Sequence, residues 1–215
     1  MKPKYHFEIE QGTPEWHKIK ELKMSASHAT AIMTNGKGLR TLVEELITDY
    51  YSSDNYEEFT NKIQNKHIER GNEYEQKART IYELETGNEV KQVGFVELDE
   101  FTGVSPDGLV GEDGLIEIKN PANKEFMRLA LTGKIDSNHL NQMQMQMYVT
   151  GRKWCDYFVF NPNYEPCFIR KRVQADPDEF SKIIQGLDTG RKLIREMKDM
   201  TDKLFKKQER SNNEQ

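Results

Sequence analysis

The chain has 215 residues, which is enough for one domain with a sizeable hydrophobic core and short for two. Apolar residues make up 35% and charged residues 31%, and no apolar run approaches the length of a membrane span, which excludes an integral helical membrane protein. The net charge of −5 excludes a protein that binds nucleic acid through overall positive charge, and leaves only local basic surfaces for that purpose.

The first residues and the cysteines point to a reducing compartment. Residues 1–6 lack the apolar segment of a secretory signal, so we expect a cytoplasmic protein without membrane attachment. The only cysteines are Cys155 and Cys167, and their spacing fits no metal-binding motif. We therefore expect free or buried thiols and no zinc site.

Helix and strand signals alternate along the chain. The predicted helices cover residues 13–19, 25–33, 39–51, 65–86, 124–131, 138–150 and a long amphipathic segment from 177. The predicted strands cover residues 89–98, 102–106, 115–119, 154–161 and 167–173. Thr13 is predicted to cap the first helix, and Ser25 or Ser27 the second. This order predicts a single mixed α/β (α+β) domain over residues 1–210, with a frayed tail over 211–215.

The most informative segment runs from residue 101 to 121 and predicts a bent hairpin. Asp107 lies in a Ser-Pro-Asp-Gly turn, which we place at the end of one strand. On the next strand Glu117 and Lys119 share one face, while Ile116 and Ile118 point to the other. Two carboxylates and one ammonium are therefore expected to converge at one end of the hairpin.

Such a group suits metal-dependent hydrolysis of a phosphodiester. Mg²⁺ binds carboxylate and carbonyl oxygens, so Asp107, Glu117 and the Ile118 carbonyl are candidate ligands. Lys119 would orient or help deprotonate the attacking water, and a bound cation would lower its pKa. The alternative is an ordinary turn followed by an exposed Glu–Lys pair, since Glu-x-Lys by itself is common.

Pro106-Asp107 followed by Glu117-Ile118-Lys119 resembles the PD-(D/E)xK nuclease signature. The chain is more closely similar to phage lambda exonuclease and the YqaJ-like viral recombinases, from Trp16 to about Tyr148. The matching segments include Trp16-His17-Lys18 leading to Ser27, residues 70–80, and Gln142-x-Gln144 leading to Thr150. This resemblance implies a restriction-endonuclease-like core, with a central mixed sheet of about five strands flanked by helices.

The resemblance also assigns roles outside the hairpin. It makes Glu75 a ligand of the metal or of its water shell, where the sequence alone favours a surface ion pair with Arg79. It makes Gln142 an active-site amide, although Met-rich helices more often belong to a core. It makes Ile68 a wedge between terminal base pairs, whereas an isolated apolar residue is usually core.

A pocket for the 5′-phosphate is implied around Ser27, and Ser105 is a further candidate DNA-binding residue. The family places Arg where this chain has Lys20, and Lys provides no bidentate fork, so a weaker phosphate clamp is expected. Lys37 belongs to a group of basic residues that would line a path for DNA, although most such lysines are solvated surface.

The function implied by the resemblance is 5′→3′ degradation of one strand of linear double-stranded DNA. Mg²⁺ is the expected cofactor, with Mn²⁺ as a substitute. A ring-shaped homotrimer, a single-strand annealing protein as partner and a phage or prophage origin in a bacterial host are implied in the same way. None of these follows from spacing or periodicity.

Three alternatives stay open. The first is another nuclease of the same superfamily, such as an endonuclease, a resolvase or a CRISPR-associated exonuclease, although two cysteines cannot hold the iron–sulfur cluster of many of the last kind. The second is a DNA-binding subunit with a decayed site, against which the complete Asp-Glu-Lys set argues. The third is a Mg²⁺-dependent phosphoesterase that acts on small nucleotides.

Overall fold

A computed structural model of the chain describes residues 2–52 and 74–213. The helices are α1 (Pro14–Ile19), α2 (Ala29–Thr34), α3 (Lys37–Tyr51), α4 (described over 74–86), α5 (Asn123–Thr132), α6 (Ser137–Thr150) and α7 (Pro177–Asn213). The strands are β1 (Lys4–His6), β2 (Val90–Lys91), β3 (Phe95–Asp99), β4 (Thr102–Val104), β5 (Gly108–Val110), β6 (Gly114–Lys119), β7 (Trp154–Phe160) and β8 (Phe168–Gln174). A short 3₁₀ turn, Ala26–His28, precedes α2.

A five-stranded mixed sheet forms the centre of the fold, in the order β2-β5-β6-β7-β8. Strands β6 and β7 are parallel, and the other neighbours are antiparallel. A parallel pair needs a long crossover, and here α5 and α6 supply it. The predicted fold class, a mixed sheet of about five strands flanked by helices, is confirmed.

The predicted three-stranded meander is wrong in its pairing. Strands β3 and β4 join β1, which the sequence did not predict, in a separate three-stranded sheet. Strand β5 lies between two predicted strands, in residues for which the sequence predicts no strand. A Cβ at Gly108 would lie 2.2 Å from the Val90 side chain, so the glycine permits close packing of β2 on β5. Asp107 therefore precedes a strand and does not end one.

The helix starts agree only partly with the sequence. The Thr13 hydroxyl caps α1 by accepting from the Trp16 amide at 3.3 Å, as predicted. The predicted serine cap of the second helix is wrong, because Ser25 hydrogen-bonds to the side chains of Ser27 and His28 instead. The third helix begins at Lys37, two residues earlier than predicted.

The sheet separates two hydrophobic clusters. One contains Ile116, Ile118 and Phe158 and packs against Ala78 and Tyr82 of α4. The larger cluster lies on the opposite face and is formed by hydrophobic residues of α2, α3, α6 and α7. Glu117 points away from Ile116 and Ile118, as predicted from strand alternation, and contacts α6.

Three further predictions concern the cysteines, the number of domains and membrane-spanning helices. Cys155 is buried, Cys167 is partly buried, and both are free thiols as expected. The assignment of residues 1–210 to one domain stays a prediction. Among the described residues, no helix combines the length and the apolar character needed to cross a bilayer.

Candidate active site

The β5–β6 hairpin brings Asp107 beside the Glu-Ile-Lys strand. Gly108 pairs with Ile116 in the antiparallel register, which places Asp107 next to the end of β6. The Asp107 Oδ2 accepts a hydrogen bond of 2.7 Å from the Ile118 amide. The convergence predicted from the sequence is therefore present, with the acid held by the backbone of the opposite strand.

Glu117 is the most tightly held acid of the group, and only 1% of the residue is exposed. Its Oε1 accepts from Gln142 Nε2 at 2.7 Å and lies 2.5 Å from the Lys119 ammonium. Its Oε2 accepts from Gln146 Nε2, also at 2.7 Å. Two amides and one cation thus compensate a buried carboxylate, which would otherwise be costly to bury.

Gln146 was not singled out by the sequence analysis. The residues of a helix that share a face recur at intervals of three or four, so Gln142 and Gln146 both face β6. Gln144 points elsewhere, where its side chain donates to the Gln174 carbonyl and accepts from the Asp176 amide. The helical interval was the available signal, and the strict Gln–Met alternation over 142–147 obscured it.

Glu75 does form the predicted ion pair with Arg79, at 2.7 Å. The pair is not simply solvated, because the Arg79 side chain is only 12% exposed and also donates to the Asp107 carbonyl at 3.4 Å. Glu75 and Asp107 line the same cavity of about 500 Å³. The structure therefore brings Glu75 to the hairpin group, and its role as a ligand stays a prediction.

The charges of this group act on one another. Burial, together with the negative charges of Glu117 and Glu75, raises the pKa of the Asp107 carboxyl well above its ordinary value. Burial raises the pKa of Glu75 as well, against the charge of Arg79 and with a further contribution from Glu117. Acids that resist ionisation in this way mark a place where added positive charge is favourable.

The sequence predicts that a bound cation would lower the pKa of Lys119. Without a cation, the pKa of Lys119 is raised. In the chain alone, burial lowers the pKa of its ammonium, but Glu117 and Asp107 outweigh burial and leave the pKa above its ordinary value. Lys119 Nζ also donates to Gln142 Oε1 at 3.4 Å. The ammonium is thus held in its charged form between the acids and the glutamine.

The donor set fits a hard divalent cation that keeps several water ligands. Among the described residues, no three His, Cys, Asp or Glu side chains are grouped tightly enough to form a metal site unaided. Mg²⁺ commonly takes one or two carboxylates and completes its shell with water and substrate phosphate. The repulsion between Asp107, Glu117 and Glu75 would be relieved by such a cation. The Ile118 carbonyl stays a predicted ligand.

The candidate phosphate pocket is connected to the acidic group through Trp16. Lys20 Nζ lies 3.6 Å from the centre of the Trp16 ring, and Trp16 Nε1 donates to Ser105 Oγ at 2.9 Å. Burial lowers the pKa of Lys20 to about 8. Ser27 follows Lys20 by seven residues in the chain, and its hydroxyl is hydrogen-bonded to that of Ser25 at 3.0 Å.

Two predicted DNA-binding residues are not brought to the site by the described contacts. Lys37 is exposed at the start of α3, so its role stays a prediction. Ile68 lies outside the described residues, as does the first part of the matching segment, residues 70–73.

Comparisons with known proteins identify the family of the chain. A model of the YqaJ-like viral recombinase domain matches residues 15–153. The crystal structure of an alkaline exonuclease, LHK-Exo from Laribacter hongkongensis, is 29% identical with a TM-score of 0.71, and the match covers 89% of this chain and 100% of that one. LHK-Exo in complex with dAMP is 30% identical with a TM-score of 0.76, and the match covers 90% and 99%.

Two further relatives carry less information. A phage-related exonuclease from Haemophilus somnus is 14% identical with a TM-score of 0.59 over 86% of this chain and 98% of its own, which shows a common fold. The uncharacterized protein R354 of Acanthamoeba polyphaga mimivirus is 28% identical over 44% of this chain, and the match spans only 20% of that protein. The domain model matches well over half of the chain, and a 30% identical structure is covered almost completely; the chain therefore belongs to the YqaJ-like viral recombinase family.

Proposed function

We propose that the chain is a Mg²⁺-dependent 5′→3′ exonuclease that degrades one strand of linear double-stranded DNA and leaves a 3′ overhang. The enzyme class, a DNA exonuclease, follows from the family and from the likeness to the alkaline exonuclease LHK-Exo. The observation that carries the proposal is the complete group of Asp107, Glu117 and Lys119, with Gln142 holding both residues of β6.

In this proposal Asp107, Glu117, Glu75 and the Ile118 carbonyl hold Mg²⁺, or Mn²⁺ in its place. The cation, when bound, supplies positive charge where the scissile phosphate develops negative charge. Lys119 donates a hydrogen bond that orients the attacking water, because its ammonium is already fixed beside the acids.

Gln142 acts through its two contacts. Its amide nitrogen donates to Glu117 at 2.7 Å, and its amide oxygen accepts from the Lys119 ammonium at 3.4 Å. One side chain therefore fixes the position of the carboxylate relative to the ammonium. A reaction that depends on the placement of a water molecule and a phosphate is sensitive to such positioning.

The 5′→3′ polarity is supported by the pocket around Lys20. Lys20, Ser27 and Ser105 together would bind the terminal 5′-phosphate; Lys20 contacts Trp16, Trp16 donates to Ser105, and Ser105 lies two residues before Asp107. Lys20 offers a point charge and lacks the fork of an arginine, so the preference for phosphorylated ends is expected to be moderate.

A ring-shaped homotrimer and a single-strand annealing partner complete the proposal. The net charge of −5 favours retention of DNA by encirclement over retention by general attraction. Light scattering is expected to give three times the chain mass of 25.2 kDa. A monomer at working concentrations would contradict the ring.

Linear and covalently closed circular duplexes of the same sequence separate the proposal from its rivals. With Mg²⁺, we expect release of mononucleotides from the linear form only, and no release by Lys119→Ala. Nicking or linearisation of the circle would favour an endonuclease. Inertness on both forms would favour a DNA-binding subunit, and activity on free nucleotides that duplex does not inhibit would favour a phosphoesterase.

A further inference from the structure

A second cavity lies beside Lys119. The first cavity, which Glu75 and Asp107 line, is on the other side of the acidic group. The second cavity has a volume of about 420 Å³ and lies between α5, the start of α6 and the ends of β6 and β7. The side chains that define its character are Lys119, Glu125, Arg128, Lys134, Asp136 and the pair His139 and Tyr157. None of these residues except Lys119 has a part in the proposed hydrolysis.

The charge of this cavity is opposite to that of its neighbour. Arg128 and Lys134 are exposed, and neither forms an ion pair with any residue in the described ranges. Lys171 lies close to Gly133, the residue before Lys134, since a Cβ built on Gly133 would be 3.1 Å from its Nζ. Of the two acids, Asp136 is engaged in capping α6 through the Asn138 amide at 2.9 Å.

The other cavity, by contrast, is lined by Glu8, Glu10, Glu75 and Asp107, with Arg79 as its cation. Phosphate groups bind where cations are unpaired and avoid clustered carboxylates, because the interaction is mainly electrostatic. A polyanionic strand that passes the acidic group should therefore continue on the Lys119 side.

The cavity also has an aromatic wall. His139 Nδ1 and the Tyr157 hydroxyl are hydrogen-bonded at 2.8 Å, with their ring centroids 5.6 Å apart and the ring planes inclined by 37°. The bond fixes the partly exposed ring of His139 against the buried ring of Tyr157, next to the cations. Aromatic rings beside basic side chains are the usual means of binding a single strand without sequence preference, because every base has a flat face.

The strand order of the central sheet places this cavity relative to the phosphate pocket. Asp107 precedes β5, Glu117 and Lys119 lie on the neighbouring β6, Tyr157 on β7 and Lys171 on β8. Lys20 is connected through Trp16 to Ser105, on the β5 side of the group. The two basic sites thus lie on opposite sides of the acids.

We propose that the Lys119–Tyr157 cavity binds the nucleotide that follows the scissile phosphate on the degraded strand. Arg128 and Lys134 contact its phosphates, and the rings of His139 and Tyr157 contact its sugar and base. This inference rests on the proposed function, because it takes the terminal 5′-phosphate to lie at Lys20. A contact at this cavity would keep the strand in place after each released nucleotide.

The charge part is tested by DNA binding in an Asp107→Asn background, which prevents cleavage. The probe is a labelled duplex with a 5′-phosphorylated end, titrated at several NaCl concentrations. We expect Arg128→Gln/Lys134→Gln to lower the slope of log K against log[NaCl] by about 0.9 for each cation removed. The matched control Lys124→Gln/Lys192→Gln removes two exposed charges outside the cavity and should leave the slope unchanged.

A slope equal to that of the parent, or an equal loss in the control pair, would overturn the proposal. If the parent itself bound no duplex at any salt concentration, the proposed function would fail, which is a different result. Because Arg128 and Lys134 are exposed, loss of folding is not expected, and circular dichroism checks this.

The aromatic part is tested by 2-aminopurine placed at the second or the tenth nucleotide from the 5′ end. We expect His139→Ala to change the fluorescence of the bound probe at position two and to leave position ten as in the parent. Identical fluorescence of parent and variant at position two would remove the rings from the binding site.

Discussion

Gln146 donates its amide hydrogen to Glu117 Oε2 at 2.7 Å, in a place where both residues are almost completely buried. Gln142 holds the other oxygen of the same carboxylate at the same distance. The orientation of Glu117 is therefore fixed from α6 by two glutamines one turn apart. A carboxylate with both oxygens fixed can face a metal and a substrate without reorganising.

Gln146→Ala should lower kcat by about 10- to 100-fold, with little change in KM for DNA, because it acts through Glu117 and does not contact the substrate. It should also destabilise the fold by about 1–3 kcal/mol, since Glu117 loses a buried partner. The matched control is Gln144→Ala, whose hydrogen bonds lie away from Glu117 and which should lower stability alone. Equal kcat values for both variants would contradict the positioning role.

Asp107→Asn should abolish cleavage and at the same time stabilise the metal-free protein at neutral pH. The pKa of Asp107 is raised in the folded chain, so the charged form opposes folding, and the wild type should gain stability as the pH falls through that raised pKa. Thermal unfolding without metal measures this. A lower Tm for the variant would contradict the repulsion described for the acids.

Addition of Mg²⁺ should raise the Tm of the wild type and have little effect on Asp107→Asn, because a ligand that binds the folded state stabilises it. The comparison reports metal binding without any need for activity. An equal rise in both proteins would indicate that Mg²⁺ binds elsewhere.

Lys119→Ala should abolish cleavage and leave the fold intact, because Glu117 retains both of its amide donors. The measurement is release of nucleotides from linear duplex, with circular dichroism as the check on folding. Lys153→Ala removes an exposed lysine paired with Asp113 and serves as the control. Unaltered turnover by Lys119→Ala would exclude this lysine from the mechanism.

The preference for a 5′-phosphate over a 5′-hydroxyl should fall as the pH rises above about 8. Burial lowers the pKa of Lys20 to about 8, so the free enzyme carries the positive charge below that pH and loses it above. The ratio of kcat/KM for the two substrates at pH 7 and pH 9.5 measures the effect. Lys20→Arg should keep its preference at both pH values, and Lys20→Ala should show a weaker preference that does not change with pH. A pH-independent ratio in the wild type would refute the assignment.

Sequence patterns among neighbouring residues were enough to predict part of the site and several elements of the fold. The Asp107 turn and the alternation of Glu117 and Lys119 predicted a convergence that the β5–β6 register provides, because both depend on neighbouring residues. The long helix from Pro177 was also predicted from its helical periodicity, and strands β7 and β8 were predicted to within one residue at each end. Periodicity is strongest in long amphipathic elements, where one face must be buried.

Other features depend on contacts between distant segments. The sequence predicts no strand over residues 108–110, but β5 forms there, and Gly108 leaves the room that the Val90 side chain occupies. Strand β1 exists only because β3 pairs with it, and its three residues carry no periodic signal. The pairing of His139 with Tyr157 joins α6 to β7, and no local pattern of sequence predicts it.

The central claim is that Asp107, Glu117 and Lys119 form a metal-dependent nuclease site that works from the 5′ end of a duplex. Incubation with linear duplex labelled at the 5′ or the 3′ end, with and without Mg²⁺, tests it most directly. The account predicts that the 5′ label is released first, as a mononucleotide, and only with the divalent cation present. Earlier release of the 3′ label, release without a divalent cation, or no release from a folded sample would contradict it.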